Sequence, residues 1–239
     1  MCKEVRRGFV EKDKKEFSED SIIKLKEAGK DIYYLLNRGY KIKSATTFVG
    51  NHYLLSERQR IFLARSLSSQ QDLKRREEKR IPLDYLEGKI VHIDGFNTVI
   101  TLEVALSQGL LIKCQDGTIR DLAGLRGTYR IIDKTKIIMN YILETCLEKG
   151  MKQVNIYLDA PVSNSGQLRS LILETASNYN LDTIVHVISN VDTILENLEY
   201  VITSDAIILN KCISWVNFSN FVISNKIKNY RILDIVSDL

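Results

Sequence analysis

A chain of 239 residues, 44% hydrophobic and 27% charged, can bury a sizeable core and does not have the composition of a disordered protein. No apolar run approaches the roughly 20 residues that span a bilayer, and the opening MCKEVRRGFVEKDKKEF is charged, without the apolar core of a signal peptide. A cytoplasmic protein with no membrane partner is expected.

The net charge of +4 is unevenly placed: residues 1–80 hold 20 Lys and Arg against 12 Asp and Glu, residues 81–239 hold 14 against 18, giving +8 and −4. A basic segment of this kind suits a polyanion such as nucleic acid, or is simply a solvated lysine-rich surface. Cys2, Cys114, Cys146 and Cys212 are scattered, with no C-x-x-C pair, which argues against structural zinc and against a disulfide framework.

The first 80 residues read as helical. Glu19 to Asn37 carries apolar residues near helical spacing and is followed by Arg38-Gly39, a stop; a shorter helix is expected over Lys43 to Val49, ending at Gly50. Ser56 and Gln59 then form a capping box that opens SERQRIFLARSL. Three short helices give a helix-turn-helix outline, in which Arg58 and Arg65, seven residues apart, share a face that could meet nucleic acid. The mixed-charge run QQDLKRREEKRIPLD reads as a helical connector stopped by Pro82, so a basic helical domain is expected over 1–80 and a second domain over 81–239.

Beyond residue 80 strands alternate with helices. KIVHID, a helix from Thr98 to Ser107, the hairpin LLIKCQDGTIRDL turning at Asp116-Gly117, and a helix over Ile131 to Lys149 come first. QVNIYLD, a helix from Gly166 to Tyr179, DTIVHVIS, a short helix over Val191 to Leu198, YVITSD and a strand-like WVNFSNFVIS follow. This is an α/β pattern with a mostly parallel sheet covered on two sides.

Three of these strands end in an aspartate: Asp94, Asp159 and Asp205. In open α/β sheets ligands bind outside the carboxyl ends of the strands, so these acids can converge, and carboxylate oxygens suit hard cations such as Mg²⁺ or Mn²⁺. The bland alternative for each is a helix cap. Asn97 reads either as a cap of the following helix or as a group that orients water or phosphate. Ser163 and Ser165 stand before a helix N-terminus, a place favourable to an anion. Arg120, Arg126 and Arg130, interleaved with Tyr129, give a basic and aromatic segment suited to a backbone and a stacked base. His92 and His186 lie inside strands and read as packed histidines.

VHIDGFNTVITLE, YLDAPVSNSG and ITSDAIIL, with LLNRGYKIKSATTFVGNHYLLSERQR before them, resemble an uncharacterised archaeal and bacterial family. Its members join a small helical N-terminal domain to a domain similar to the PIN and NYN ribonucleases. The resemblance implies a PIN-like three-layer α/β domain preceded by an all-α helix-turn-helix-like domain. It further implies an endoribonuclease dependent on Mg²⁺ or Mn²⁺, with RNA, or DNA, as partner. Asp94, Asp159 and Asp205 would then be catalytic and metal-holding, with Asn97 the accompanying polar residue. The chain departs from the NYN pattern after Asp205, where Ala206 and Ile207 stand in place of a D-x-D acid. A fourth ligand would have to come from Glu103, Asp116, Asp121 or Asp192, of which Glu103 is favoured. The missing acid leaves an alternative open: an inactive PIN-like module that binds nucleic acid or protein.

Overall fold

In the computed structural model, which describes residues 5–124 and 127–237, the N-terminal part forms five helices. These are α1 (Asp13–Glu16), α2 (Glu19–Asn37), α3 (Ile42–His52), α4 (Glu57–Ser66) and α5 (Gln70–Lys79). Helix α2 runs over the expected residues because its apolar positions, buried at Leu25, Ala28, Ile32 and Leu36, line one face. The capping box forms: the Ser56 hydroxyl accepts from the Gln59 amide while the Gln59 side chain accepts from the Ser56 amide. Gly50 does not end its helix. A Cβ there would lie 2.8 Å from Arg60 Nε, so the glycine makes room for a guanidinium that donates to the carbonyls of Leu55 and Gly50.

The rest of the chain follows as β1 (Ile90–Asp94), α6 (Gly95–Leu106), β2 (Leu110–Lys113), β3 (Ile119–Asp121), α7 (Asp133–Glu148), β4 (Gln153–Asp159) and α8 (Ser165–Ala176). Then come β5 (Asp182–Ile188), α9 (Val191–Leu195), β6 (Val201–Ile202), α10 (Ala206–Lys211), β7 (Trp215–Val216), α11 (Phe218–Lys226) and β8 (Arg231–Leu233). The stretch WVNFSNFVIS is therefore a two-residue strand and a helix, because Phe218, Val222 and Ile223 face the core at helical spacing.

Five parallel strands form the main sheet in the order β5-β4-β1-β6-β7. Chain order reverses between β1 and β6, so a crevice opens at their carboxyl ends. One face, with Val91, Ile93, Val154, Ile156, Leu158 and Val185, packs in the main core with residues of α6, α7, α8 and α11. On the other face α9 and α10 cover the β6–β7 side, through Leu195, Ile208, Leu209 and Trp215. Coverage on that face is incomplete at β5, where Ile184 is 40% exposed. His92 and His186 lie half-buried there beside Tyr157, whose hydroxyl is 3.0 Å from His92 Nδ1.

A second sheet, β3-β2-β8, ties the two parts together. Its hairpin turns through Gly117 at a φ of 77°, which glycine adopts without strain. Leu111 joins the main core, whereas its neighbours Leu110 and Ile112 pack with Leu25, Ile32, Phe62 and Leu63 of the N-terminal helices. The helical segment thus shares its core with strand β2. Beneath it the Asp116 carboxylate, nearly buried, pairs with Arg76 at 2.6 Å and with Arg120 at 2.7 Å. No helix among the described residues is long and apolar enough to cross a membrane.

Candidate functional site

The carboxyl ends of the parallel strands open into a cavity of about 310 Å³ lined by Asp94, Asp159, Asp192 and Asp205, together with Asn97 and Ser204. Asp94 reaches it because β1 passes directly into α6. Gly95 is the first helical residue, and a Cβ on it would lie 2.6 Å from Leu158 Cδ2 and 2.7 Å from the Tyr157 carbonyl oxygen. The need for glycine here is close approach to β4, not flexibility.

The segment after β6 is laced to this edge. Thr203 donates its hydroxyl to Asp94 Oδ2 at 2.8 Å and accepts from the Asp205 amide at 3.0 Å. Asn97 is neither a helix cap nor free. It lies inside α6, and its Oδ1 accepts from the amide and hydroxyl of Ser204 at 2.9 and 2.8 Å. Asp205 caps α10, accepting from the Ile207 amide at 2.7 Å, yet still lines the cavity. Arg120 supports the same segment by donating to the Ser204 carbonyl at 2.6 Å.

The charge of these acids is poorly compensated. Burial pushes the Asp94 carboxyl up to about 7; the Thr203 hydroxyl opposes this, and Asp205 and Asp192 add to it. Asp159 is also raised by burial, against the Val191 amide, and Asp192 by burial and then by Asp205 and Asp159. An all-oxygen donor set in this state suits a hard divalent cation. Among the described residues, no group of three or more His, Cys, Asp or Glu side chains is arranged to hold a metal ion. The match to a cation thus lies in donor chemistry and charge.

Other expected site residues are placed elsewhere. Glu103 is fully buried on α6, away from the cavity, ion-paired with Arg7 and accepting from Tyr129 Oη at 2.8 Å and from the Thr135 hydroxyl at 2.5 Å. It is a structural carboxylate; of the other candidate acids, Asp192, in the first turn of α9, and Asp121, which is engaged by Thr101, the Ala123 amide and Arg65, line the cavity with Asp94, Asp159 and Asp205. Tyr129 is likewise buried, so it offers no ring for a base. Arg58 does not present itself to solvent for a nucleic acid: it pairs with buried Asp13 at 2.5 Å and donates to the carbonyl of Leu122. Ser163 accepts from the Tyr129 amide at 3.2 Å and Ser165 is buried; neither lines the cavity. Arg130 is exposed and lines a neighbouring cavity with Arg7 and Ile132, while Arg126 lies outside the described residues. Arg65 does line the acidic cavity, from α4.

Residues 83–221 match a family described as Domain of unknown function (DUF5616), and residues 24–79 match Protein of unknown function (DUF434). The chain is similar to Uncharacterized protein MJ0935 of Methanocaldococcus jannaschii, 36% identical over 185 residues, which cover 77% of this chain and 88% of that one. No solved structure matches.

Proposed function

This chain belongs to the family described as Domain of unknown function (DUF5616), and from its acidic crevice we propose that it is a divalent-cation-dependent endoribonuclease acting in the cytoplasm. The observation that carries the reading is the convergence of Asp94, Asp159, Asp192 and Asp205 on one cavity at the reversal point of a parallel sheet. The PIN-like character of residues 81–239, and a helix-turn-helix-like, nucleic-acid-engaging role for residues 1–80, are parts of the same proposal. They are supported by the sequence resemblance and by the +8 charge of the first segment.

Asp94, Asp159, Asp192 and Asp205 are the residues that would hold Mg²⁺ or Mn²⁺, although no three of them are arranged around one ion position in this structure. Such an ion would offset their charge and would supply polarisation of a phosphoryl oxygen and of an attacking water. The protein's own groups supply orientation. Thr203 donates to Asp94 Oδ2 and so fixes one oxygen of that carboxyl at the edge of the cavity. Asn97 holds Ser204, and through it the position of Asp205 against β1.

The test is cleavage of single-stranded RNA and DNA oligonucleotides by the purified chain in MgCl₂ or MnCl₂. Asp94→Asn and Asp159→Asn are expected to remove cleavage while the fold survives. Cleavage by the double variant at the wild-type rate refutes the assignment. A second reading, binding of RNA without chemistry, is favoured by the absent D-x-D acid and by the lack of a metal-ready group among the described residues. Tight binding with no turnover in either metal would select it.

A further inference from the structure

The four aspartates are not the whole lining of the cavity. Ala64 and Arg65 of α4 also line it, with Arg120, Asp121 and Gly124 from the hairpin and the residues after it. Most of these added charges are already committed. Arg120 is 7% exposed and directs its guanidinium to the carbonyls of Ser204 and Arg65 and to Asp116. Asp121 accepts from the Thr101 hydroxyl at 2.9 Å and from the Ala123 amide at 2.7 Å.

Arg65 differs. Its side chain is 36% exposed, and among the described residues only Nη1 is engaged, with the Asp121 carbonyl and with Asp121 Oδ1 at 3.6 Å. Its Nε and Nη2 donors have no acceptor among the described residues, although a guanidinium carries five N–H groups in a fork suited to phosphate. A cation with donors to spare, lining the same cavity as four aspartates, is the group expected to grip a phosphate whose ester is attacked there.

We infer that Arg65 is the substrate-phosphate contact of this site, so that helix α4 of the N-terminal segment forms part of the substrate pocket and is not a separate groove-reading helix. The inference rests on the reading of the acidic crevice as the reacting site. It also narrows the substrate. At about 310 Å³ the cavity lies at the low end of the ~300–1,000 Å³ of small-molecule pockets, a size that suits one nucleotide unit of a single strand.

The experiment is fluorescence anisotropy with a labelled oligouridylate, on the full chain carrying Asp94→Asn so that no cleavage intervenes, over a range of salt. Adding Arg65→Ala is expected to weaken binding about tenfold, the scale of a lost charge-assisted contact, and to reduce the salt slope by about 0.7. Arg65→Lys, which keeps a cation beside Asp121 but loses the fork, is expected to weaken binding by a smaller factor. It decides the question if the alanine variant does not fold. Lys43→Ala, at an exposed position on α3, reports the effect of charge alone and is expected to leave the affinity within about twofold. Equal binding by folded Arg65 variants and their parent, an equal loss from Lys43→Ala, or no binding by the parent overturns the inference. Arg65-dependent binding by a wild-type chain that cleaves nothing in either metal refutes the hydrolytic reading and leaves this contact standing.

Discussion

Replacing Asp94 with asparagine tests the electrostatics of the crevice without any assumption about substrate. The ordinary Asp94 carboxyl ionises near 3.8, whereas in the fold burial and the neighbouring Asp205 and Asp192 raise it to about 7. Between those values the unfolded chain has released the proton and the folded chain retains it. Unfolding then releases a proton, and stability falls as pH rises through that window. The gap, about three pH units, corresponds to about 4 kcal/mol at most, or about 10 °C in Tm for a chain of this size. Asparagine keeps an oxygen for the Thr203 hydroxyl and removes the charge, so the Asn variant should lack this part of the pH dependence and be the more stable protein at pH 8 in EDTA. Denaturant titrations at pH 5 and pH 8, each with EDTA and with MnCl₂, measure it. Mn²⁺ should restore wild-type stability at pH 8 and stabilise the variant, which keeps Asp159, Asp192 and Asp205, by less. Identical pH dependence in the two proteins refutes the assignment of Asp94 as a charge held in the fold at a cost.

Three further changes separate architecture from site. Asp116→Ala leaves the Arg76 and Arg120 guanidinia buried without a counter-charge and should cost about 3–5 kcal/mol by chemical denaturation; a loss below about 1 kcal/mol contradicts the description of that triad. Glu103→Gln should lower Tm yet leave the calorimetric affinity for Mn²⁺ unchanged, since the carboxylate faces Arg7, Tyr129 and Thr135; a weakened ion would return Glu103 to the ligand set. Gly95→Ala forces a methyl group against the Tyr157 carbonyl and Leu158, with an expected loss of about 1–3 kcal/mol, and a melt within 1 °C of wild type would show that β4 and α6 are not so closely packed.

Elements with a strong local signal are legible in the sequence. Strand β4 and helix α2 occupy their expected residues because period two and period 3.6 are set by side chains a few positions apart. Strand β8 was unreadable for the opposite reason: its Arg231–Leu233 pair in parallel with Leu110–Ile112, and nothing near residue 231 encodes a partner more than a hundred residues away. Aromatic and β-branched residues made WVNFSNFVIS resemble one strand, although the core positions Phe218, Val222 and Ile223 already carried a helical spacing.

The same division runs through the site. Asp94 and Asp159 are legible because each is the last residue of an apolar strand. Asp205 is legible only because YVITSD reads as one strand, although β6 ends at Ile202 and Asp205 caps α10, and Asp192 lies four residues past β5, joining them through the turn into α9. Glu103 illustrates the limit of helical reasoning: position along α6 says little about which neighbour the side chain meets, and the N-terminal Arg7 meets it first. Arg58 and Arg65 do share a face of α4, as their spacing implies, but that face looks onto Leu122 and Asp121 of the protein itself. Formal charge is misleading in the same way. Arg58 is paired with Asp13, Arg60 with carbonyls at the end of α3, and Arg76 with Asp116, so much of the arginine charge of residues 1–80 is directed inward. Composition counts cations without saying where they discharge, and among the described arginines of this segment Arg65 is the one that lines the acidic cavity.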